Sequence, residues 1–433
     1  MESVAFYTLG CKVNKYDTES MIDQFKQADY QIVDFDNQAD IYIINTCTVT
    51  HQGASKSRKI IRRANRRNPE AIIAVTGCYP QVDADEILEI DGVDVVVGTK
   101  GKDKIVELIK QASKTAKPIN FVQPLEADES FEEVPVENFS DRTRASIKIQ
   151  DGCEQFCAYC IIPYTRGVLR SRELTAVKAE VERLVAHGFK EFVLTGIHLG
   201  EYGNDKTDLD LAKLIKELIK ISGVKRIRLS SIEGTEVSDE LIDLIAESDK
   251  LCRHLHLPLQ SGSDKILKSM NRPYNLAEFK AMVKRIRAKV PEIAITTDVI
   301  VGFPGESEKD FQASYQAVKE LEFSDGHIFK YSKRAGTPAA DYDEQVHSKI
   351  KKRRSKSLRE LINRLHNNYQ DRFIGEEMEV LVERKDEASG IATGYTDNYL
   401  RVAIKDETIN EGEIVKVELA KEDDRLAGLV VDS

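Results

Sequence analysis

The 433-residue chain has no tryptophan, only 5 methionines and 11 prolines. No apolar run approaches the roughly 18 residues that span a bilayer, which excludes a membrane helix. Its 24 glycines follow no repeat, and its 41% hydrophobic and 31% charged content is that of a soluble globular chain. The amino terminus, MESVAFYTLGCKVNKYD, lacks the basic start and small-residue cleavage site of a secretory signal. A cytoplasmic protein without a membrane partner is therefore expected. Seven cysteines is an odd number, too few and too unevenly spaced for a disulfide scaffold, and in a reducing compartment such cysteines point to metal or redox chemistry.

The net charge of -10 is local rather than general. Residues 376–433 carry 16 acidic and 7 basic side chains, leaving the remainder close to neutral. Two basic runs stand out there, KSRKIIRRANRR at 56–67 and KIKKRRSK at 349–356. Each suits either a solvated helix face or contact with RNA.

Length predicts about three domains. In residues 1–112, the apolar runs VAFYTLG, IYIINTC, AIIAVTGC and VDVVVG alternate with helical stretches, the pattern of a parallel α/β sheet covered on both faces. Residues 113–141 lose periodicity and collect Glu126, Asp128, Glu129, Glu132, Glu133 and Glu137, as an exposed linker would. Six strand-like runs, SIKIQ, EFVLTGI, RIRLSSI, HLHLPLQ, AITTDVIVGF and GHIFKYS, each precede a helical pattern within 142–374. Six such units predict an incomplete TIM-like (βα)6 barrel with functional groups at the carboxyl ends of its strands. A polar helix near 348–372 closes that part, and the turn-separated runs in 375–433 predict a small β-barrel.

Cys153, Cys157 and Cys160 form CEQFCAYC directly after the first barrel strand. Three thiolates at this spacing can hold three corners of a 4Fe-4S cluster and leave the fourth iron open. Zinc is the alternative, but it usually takes a fourth protein ligand and more often uses paired CxxC motifs. Cys11, Cys47 and Cys78 each directly follow an apolar strand of the first domain. If those strands are parallel, the three thiols emerge at one edge of the sheet, where open α/β sheets place ligands, and could build a second cluster site. Cys252 has no such context and reads as a core thiol.

The CxxxCxxC spacing resembles that of the radical S-adenosylmethionine (SAM) enzymes. This implies a SAM chelated by the open iron, with Tyr159 near its adenine. Thr195, Gly196, Ser230, Glu233, Gln260, Gly302 and Phe303, at or beside strand ends, become its expected contacts. Taken with TLGCKVNKYD, NTCTVT, TGCYPQ, DGCEQFCAYCIIPYTRG and GYTDNYLRV, the whole chain resembles the radical SAM methylthiotransferases. It is most similar to the branch that modifies threonylcarbamoyladenosine at position 37 of tRNA. It departs from the TYGCQMN of the isopentenyladenosine branch and the SLGCPKN of the ribosomal-protein branch.

The resemblance implies two 4Fe-4S clusters, SAM, the anticodon stem-loop of a tRNA as partner, an electron-donating reductant and a sulfur donor. It implies radical generation at the Cys153 triplet and sulfur donation at the Cys11 triplet, with a TRAM-like terminal domain. Arg166, Arg170 and Arg172 follow the radical motif and could hold phosphates or a substrate carboxylate, or make ordinary salt bridges. A methylthiotransferase acting on isopentenyladenosine or on a ribosomal-protein aspartate, and a noncatalytic iron-sulfur RNA-binding protein, are the alternatives.

Overall fold

The computed structural model describes residues 1–49, 51–114, 117–126, 130–137, 139, 143–422 and 425–431. Asp128 and Glu129 lie outside them. The first part runs β1 (Ser3–Thr8), α1 (Lys12–Gln27), β2 (Gln31–Val33), β3 (Ile41–Thr46), α2 (His51–Arg67), β4 (Ile72–Gly77), α3 (Cys78–Leu88), β5 (Val93–Val97), α4 (Ile105–Gln111) and β6 (Ile119–Phe121). All six strands are parallel, in the order β2-β1-β3-β4-β5-β6. Both faces carry apolar clusters, which is why β3 and β5 are apolar on each side rather than alternating.

The stretch expected to be an exposed linker is neither wholly exposed nor without structure. It supplies β6 to the sheet edge, and it buries Val136 and Phe139 in the core of the second part. Its acids are taken up by neighbours: Glu132 accepts from the backbone of Gly101 at 2.8 Å, Glu133 meets Arg172 at 2.8 Å and Glu137 meets Arg183 at 2.9 Å. Burial of two apolar side chains overrides the local lack of periodicity.

The second part contains β7 (Arg144–Lys148), β8 (Gln150–Asp151), α5 (Ile162–Arg166), β9 (Arg170–Ser171), α6 (Leu174–Ala186), β10 (Glu191–Thr195), α7 (Leu211–Leu218), β11 (Arg226–Leu229), α8 (Asp239–Glu247), β12 (His254–His256), α9 (Asp264–Ser269), α10 (Leu276–Lys289), β13 (Ala294–Val301), α11 (Glu308–Leu321), β14 (Asp325–Lys330) and α12 (Ser348–Asp371). The six main strands lie in the order β7-β10-β11-β12-β13-β14, with parallel bridges Ile227 to Leu251 and Ser231 to His256 joining the two halves. Among the described residues β7 and β14 do not pair, so the barrel is open on one side, as six units predict. The helix α1 packs against β7.

The third part is a closed barrel, β15 (Glu377–Asp386), β16 (Ile391–Tyr395), β17 (Arg401–Lys405), β19 (Arg425–Val430) and β18 (Ile414–Glu422) in ring order. Its hairpin tip docks on the second part. Arg226 donates to the carbonyls of Tyr395 (3.0 Å) and Glu379 (2.8 Å), and Arg228 to those of Asp397 (2.8 Å) and Thr396 (3.0 Å). The wholly buried Glu191 balances this pair, 2.7 Å from Arg228.

The first two parts share a buried ion network. Asp17 of α1 contacts Lys102 (3.3 Å), Lys148 (3.0 Å) and Arg166 (3.4 Å), while Asp151 contacts Lys148 (2.6 Å) and Arg166 (2.9 Å). Burial alone would raise the Asp17 carboxyl, but Lys102, Lys148 and Arg166 together bring it down from 3.8 to about 2. Because the folded value is depressed, the resulting stabilisation of about 2 kcal/mol is present above about pH 4 and is lost as pH falls through 2. Asp17→Asn should destabilise the protein by about 3 kcal/mol at pH 7, since it strands buried cations. The deficit should shrink toward pH 2 in urea titrations; an unchanged midpoint at pH 7 would show that the network contributes nothing.

Candidate active site and cluster-binding cysteines

The strand order places β1, β3 and β4 side by side, and the register aligns their carboxyl ends: Thr8 opposite Asn45, and Thr46 opposite Gly77. Cys47 and Cys78 immediately follow the second pair, and Cys11 caps α1 just beyond β1. The three thiols therefore share one sheet edge. Gly10, at φ +105, permits this approach, because a Cβ there would lie 2.9 Å from the Cys47 Cβ and 3.2 Å from its Sγ. Cys11 is exposed, yet the protein crowded around it raises its thiol against the lowering effect of the Arg166 guanidinium, with Cys78 adding to the rise. Burial pushes Cys47 up to about 11, again with Cys78 contributing. Three mutually influencing thiols beside a buried guanidinium suit a cluster whose thiolates bring negative charge.

The second triplet lies in the loop between β8 and α5. The antiparallel pairing of β8 with β9 closes the base of this loop, and Cys153 N–H donates to the Gly167 carbonyl at 3.0 Å. Gly152, at φ +78, is required, since a Cβ would stand 1.7 Å from the Val168 carbonyl oxygen. Farther along, Cys160 N–H donates to the Cys157 carbonyl at 2.9 Å. Burial raises the Cys157 thiol and pushes Cys160 up to about 12, while Arg272 acts to lower both. Arg272 donates to Cys157 Sγ at 3.1 Å and also contacts Glu233. The imidazole Nδ1 of His198 lies 3.6 Å from Cys153 Sγ, and its Nε2 lies 2.5 Å from Glu236.

The expected SAM contacts fall around this loop with different surroundings. Ser230 Oγ is buried and, among the described residues, has no hydrogen-bond partner, which fits a polar ligand at the end of β11. Thr195 is buried at the end of β10, and Gly196 packs so closely on Gln150 that a Cβ would lie 2.6 Å from its Oε1. Gln260 adopts a left-handed conformation at φ +60, and Gly302 donates to Glu306 at 2.6 Å. Phe303 is fully buried, with its ring 6.5 Å from that of Tyr159 and 5.4 Å from that of Tyr331. Glu233 is engaged by Arg272.

Of the two readings the sequence left open for the three arginines, the contacts within the chain are those of salt bridging, though in the interior rather than at the surface. Arg166 has no exposed surface; besides Asp151 and Asp17 it donates to Asn14. Arg170 is buried and donates to the Arg166 carbonyl at 2.8 Å, and Arg172 pairs with Glu133 and Glu180. Burial of the strand-proximal segment commits all three to partners within the chain. The basic runs are likewise partly spent: Arg63 and Arg67 meet Asp36, and Arg354 meets Glu306 at 2.6 Å. Sequence reasoning missed His198 and Arg272, whose roles depend on contacts made across 45 and 115 residues. It missed Lys12, too, which lines a cleft with Lys15 and Arg144. Desolvation, with Arg144, Arg228 and Lys15 nearby, lowers the Lys12 ammonium to about 8. Cys252 is buried, as a core thiol should be.

Residues 3–98 match the family described as Uncharacterized protein family UPF0004, residues 147–318 the Radical SAM superfamily, and residues 371–424 the TRAM domain. A threonylcarbamoyladenosine tRNA methylthiotransferase, MtaB, of Bacillus subtilis strain 168 is 47% identical over 425 residues, covering 97% of this chain and 94% of the relative. The chain belongs to the radical SAM methylthiotransferase family. A tRNA-2-methylthio-N(6)-dimethylallyladenosine synthase of Clostridium tetani is 38% identical to this methylthiotransferase-family chain, covering 96% and 93%. In fold, the chain resembles the radical SAM methyltransferase TsrM of Kitasatospora setae, with TM-score 0.59 and 16% identity over 78% of this chain and 77% of that one. Family membership brings S-adenosylmethionine and 4Fe-4S clusters as cofactors.

Two separate triplets should carry about eight iron atoms per chain after anaerobic reconstitution. Cys157→Ala should keep about half and lose reductive SAM cleavage, whereas Cys47→Ala should keep about half and retain cleavage. Iron analysis with a 5'-deoxyadenosine assay reads both, and cleavage surviving in Cys157→Ala would remove that residue from the radical site.

Proposed function

We propose that the chain methylthiolates C2 of N6-threonylcarbamoyladenosine at position 37 of ANN-decoding tRNAs, giving 2-methylthio-N6-threonylcarbamoyladenosine. The observation that carries this reading is two three-cysteine sites in one chain, one at a sheet edge and one in a barrel loop, with Arg166 reaching from the barrel segment to the Cys11 side. The extent of likeness to the Bacillus subtilis MtaB supports the substrate branch.

Adenine C2 carries a hydrogen that no side-chain base can remove, so its replacement by sulfur calls for radical chemistry. When bound, the clusters and SAM supply the radical, the sulfur and the methyl group. The protein supplies placement. Cys153, Cys157 and Cys160 would hold the radical-generating cluster, with Arg272 donating to the Cys157 sulfur and His198 Nδ1 lying 3.6 Å from that of Cys153. The thiolates of Cys11, Cys47 and Cys78 hold the sulfur-bearing one. Ser230, Thr195, Gly196, Gln260, Gly302, Phe303 and Tyr159 shape the SAM side of the barrel mouth, and Glu233 orients Arg272. A tRNA anticodon stem-loop, an electron-donating reductant and a sulfur donor are its partners, which suits the cytoplasm. No helix among the described residues is long and apolar enough to cross a membrane.

Purified enzyme should methylthiolate tRNA carrying threonylcarbamoyladenosine and give almost no product on isopentenylated or unmodified transcripts, as read by nucleoside mass spectrometry. Polar groups left unpaired against a hydrocarbon substituent impose that discrimination. Comparable turnover on isopentenylated tRNA would overturn the branch assignment.

A further inference from the structure

Lys12 and Lys15, in the first turn of α1, carry cations without a counter-charge. Among the described residues neither side chain makes an ion pair or hydrogen bond. Both line a cleft of about 380 Å³ together with Arg144 and Ser146 of β7, and Glu383 and Tyr399 of the terminal barrel. Three cations therefore face one carboxylate, and that carboxylate is already engaged by Arg144. Glu191, the nearest acid in the barrel wall, is shared among Arg144, Arg226 and Arg228. Lys12 and Lys15 are exposed at the mouth of this cleft, and cations gathered there without enough acid favour an incoming anion.

The cleft wall is also built for a specific shape. Tyr399 is held in a left-handed conformation at φ +68, with its ring stacked on Tyr395 at 4.8 Å and Arg228 lying 4.7 Å from its centroid. Lys12 directly follows Cys11, so the cleft and the thiol edge of the sheet share the first turn of α1. A backbone phosphate arrives with a nucleotide on either side of it. A carboxylate at the free end of a base substituent reaches it alone.

Resting on the function proposed above, we propose that Lys12 and Arg144, with Ser146 lining the same cleft, form the subsite for the carboxylate of the threonylcarbamoyl group. The role that the sequence suggested for Arg166 falls instead to a lysine in the amino-terminal domain.

The test uses iron-reconstituted full-length enzyme and anticodon stem-loop RNAs. Lys12→Met should bind the threonylcarbamoyl stem-loop about tenfold or more weakly, the loss of one charge-assisted contact, while its affinity for the unmodified stem-loop stays unchanged. Lys12→Arg should retain most of the affinity. Esterifying the threonyl carboxylate should weaken wild-type binding by the same factor and leave Lys12→Met indifferent to ester or acid. Equal loss on both RNAs would assign Lys12 to a phosphate and overturn the proposal, as would undiminished binding. Should Lys12→Met fail to hold iron, the wild-type comparison decides: an ester bound as tightly as the acid refutes a carboxylate subsite. Wild-type preference for isopentenylated RNA would instead remove the functional reading, so the two failures are distinguishable.

Discussion

The buried contact between Arg166 and Asp151 organises this molecule. Arg166 belongs to the short helix after the radical motif, Asp151 to the strand pair before it, so their pairing closes the loop bearing Cys153, Cys157 and Cys160. The same guanidinium reaches Asp17 and Asn14 of α1, the helix that Cys11 caps. One residue thus ties the loop bearing Cys153, Cys157 and Cys160 to the sheet edge with the other three thiols. Its network holds three cations, Arg166, Lys102 and Lys148, against two carboxylates, Asp17 and Asp151. The surplus positive charge lies toward Cys11 and Cys78, whose thiolates would offset it.

The terminal barrel is joined by the opposite chemistry. Its contribution at Arg226 and Arg228 is mainly backbone carbonyls, from Glu379 of β15 and from Tyr395, Thr396 and Asp397 at the β16–β17 hairpin, while its carboxylates of Glu383, Glu379 and Asp397 pair with Arg144, Arg226 and Arg253. Glu191, from the second part, neutralises Arg226 and Arg228 further. The hairpin tip, including Tyr399, becomes a wall of the cleft near Lys12.

Much of this was legible in the sequence because periodicity and punctuation are local signals. The six barrel strands, the four main strands of the first sheet and the long helix after residue 348 follow from apolar runs bounded by glycine and proline. The alignment of Cys11, Cys47 and Cys78 was also accessible, since a parallel sheet forces strands to end on one side. What was not legible is partner choice. Arg166 looked like a free cation after a motif, yet Asp17 lies 149 residues away in sequence. His198 meeting Cys153 and Arg272 meeting Cys157 are likewise products of barrel closure, and no spacing rule announces them. The linker misled for a related reason: its scattered acids resemble solvent-loving charge until Arg172 and Arg183 appear beside them.

The two cysteine triplets differ in how far the chain must fold before they exist. Cys153, Cys157 and Cys160 lie within one eight-residue segment, so a single loop can gather them. Cys11, Cys47 and Cys78 are each more than thirty residues apart and meet only once three strands have paired in register. Loop closure over long separations comes late in folding. Iron bound at the first triplet would therefore be compatible with an incompletely folded chain, whereas iron held jointly by the second would report that β1, β3 and β4 have paired.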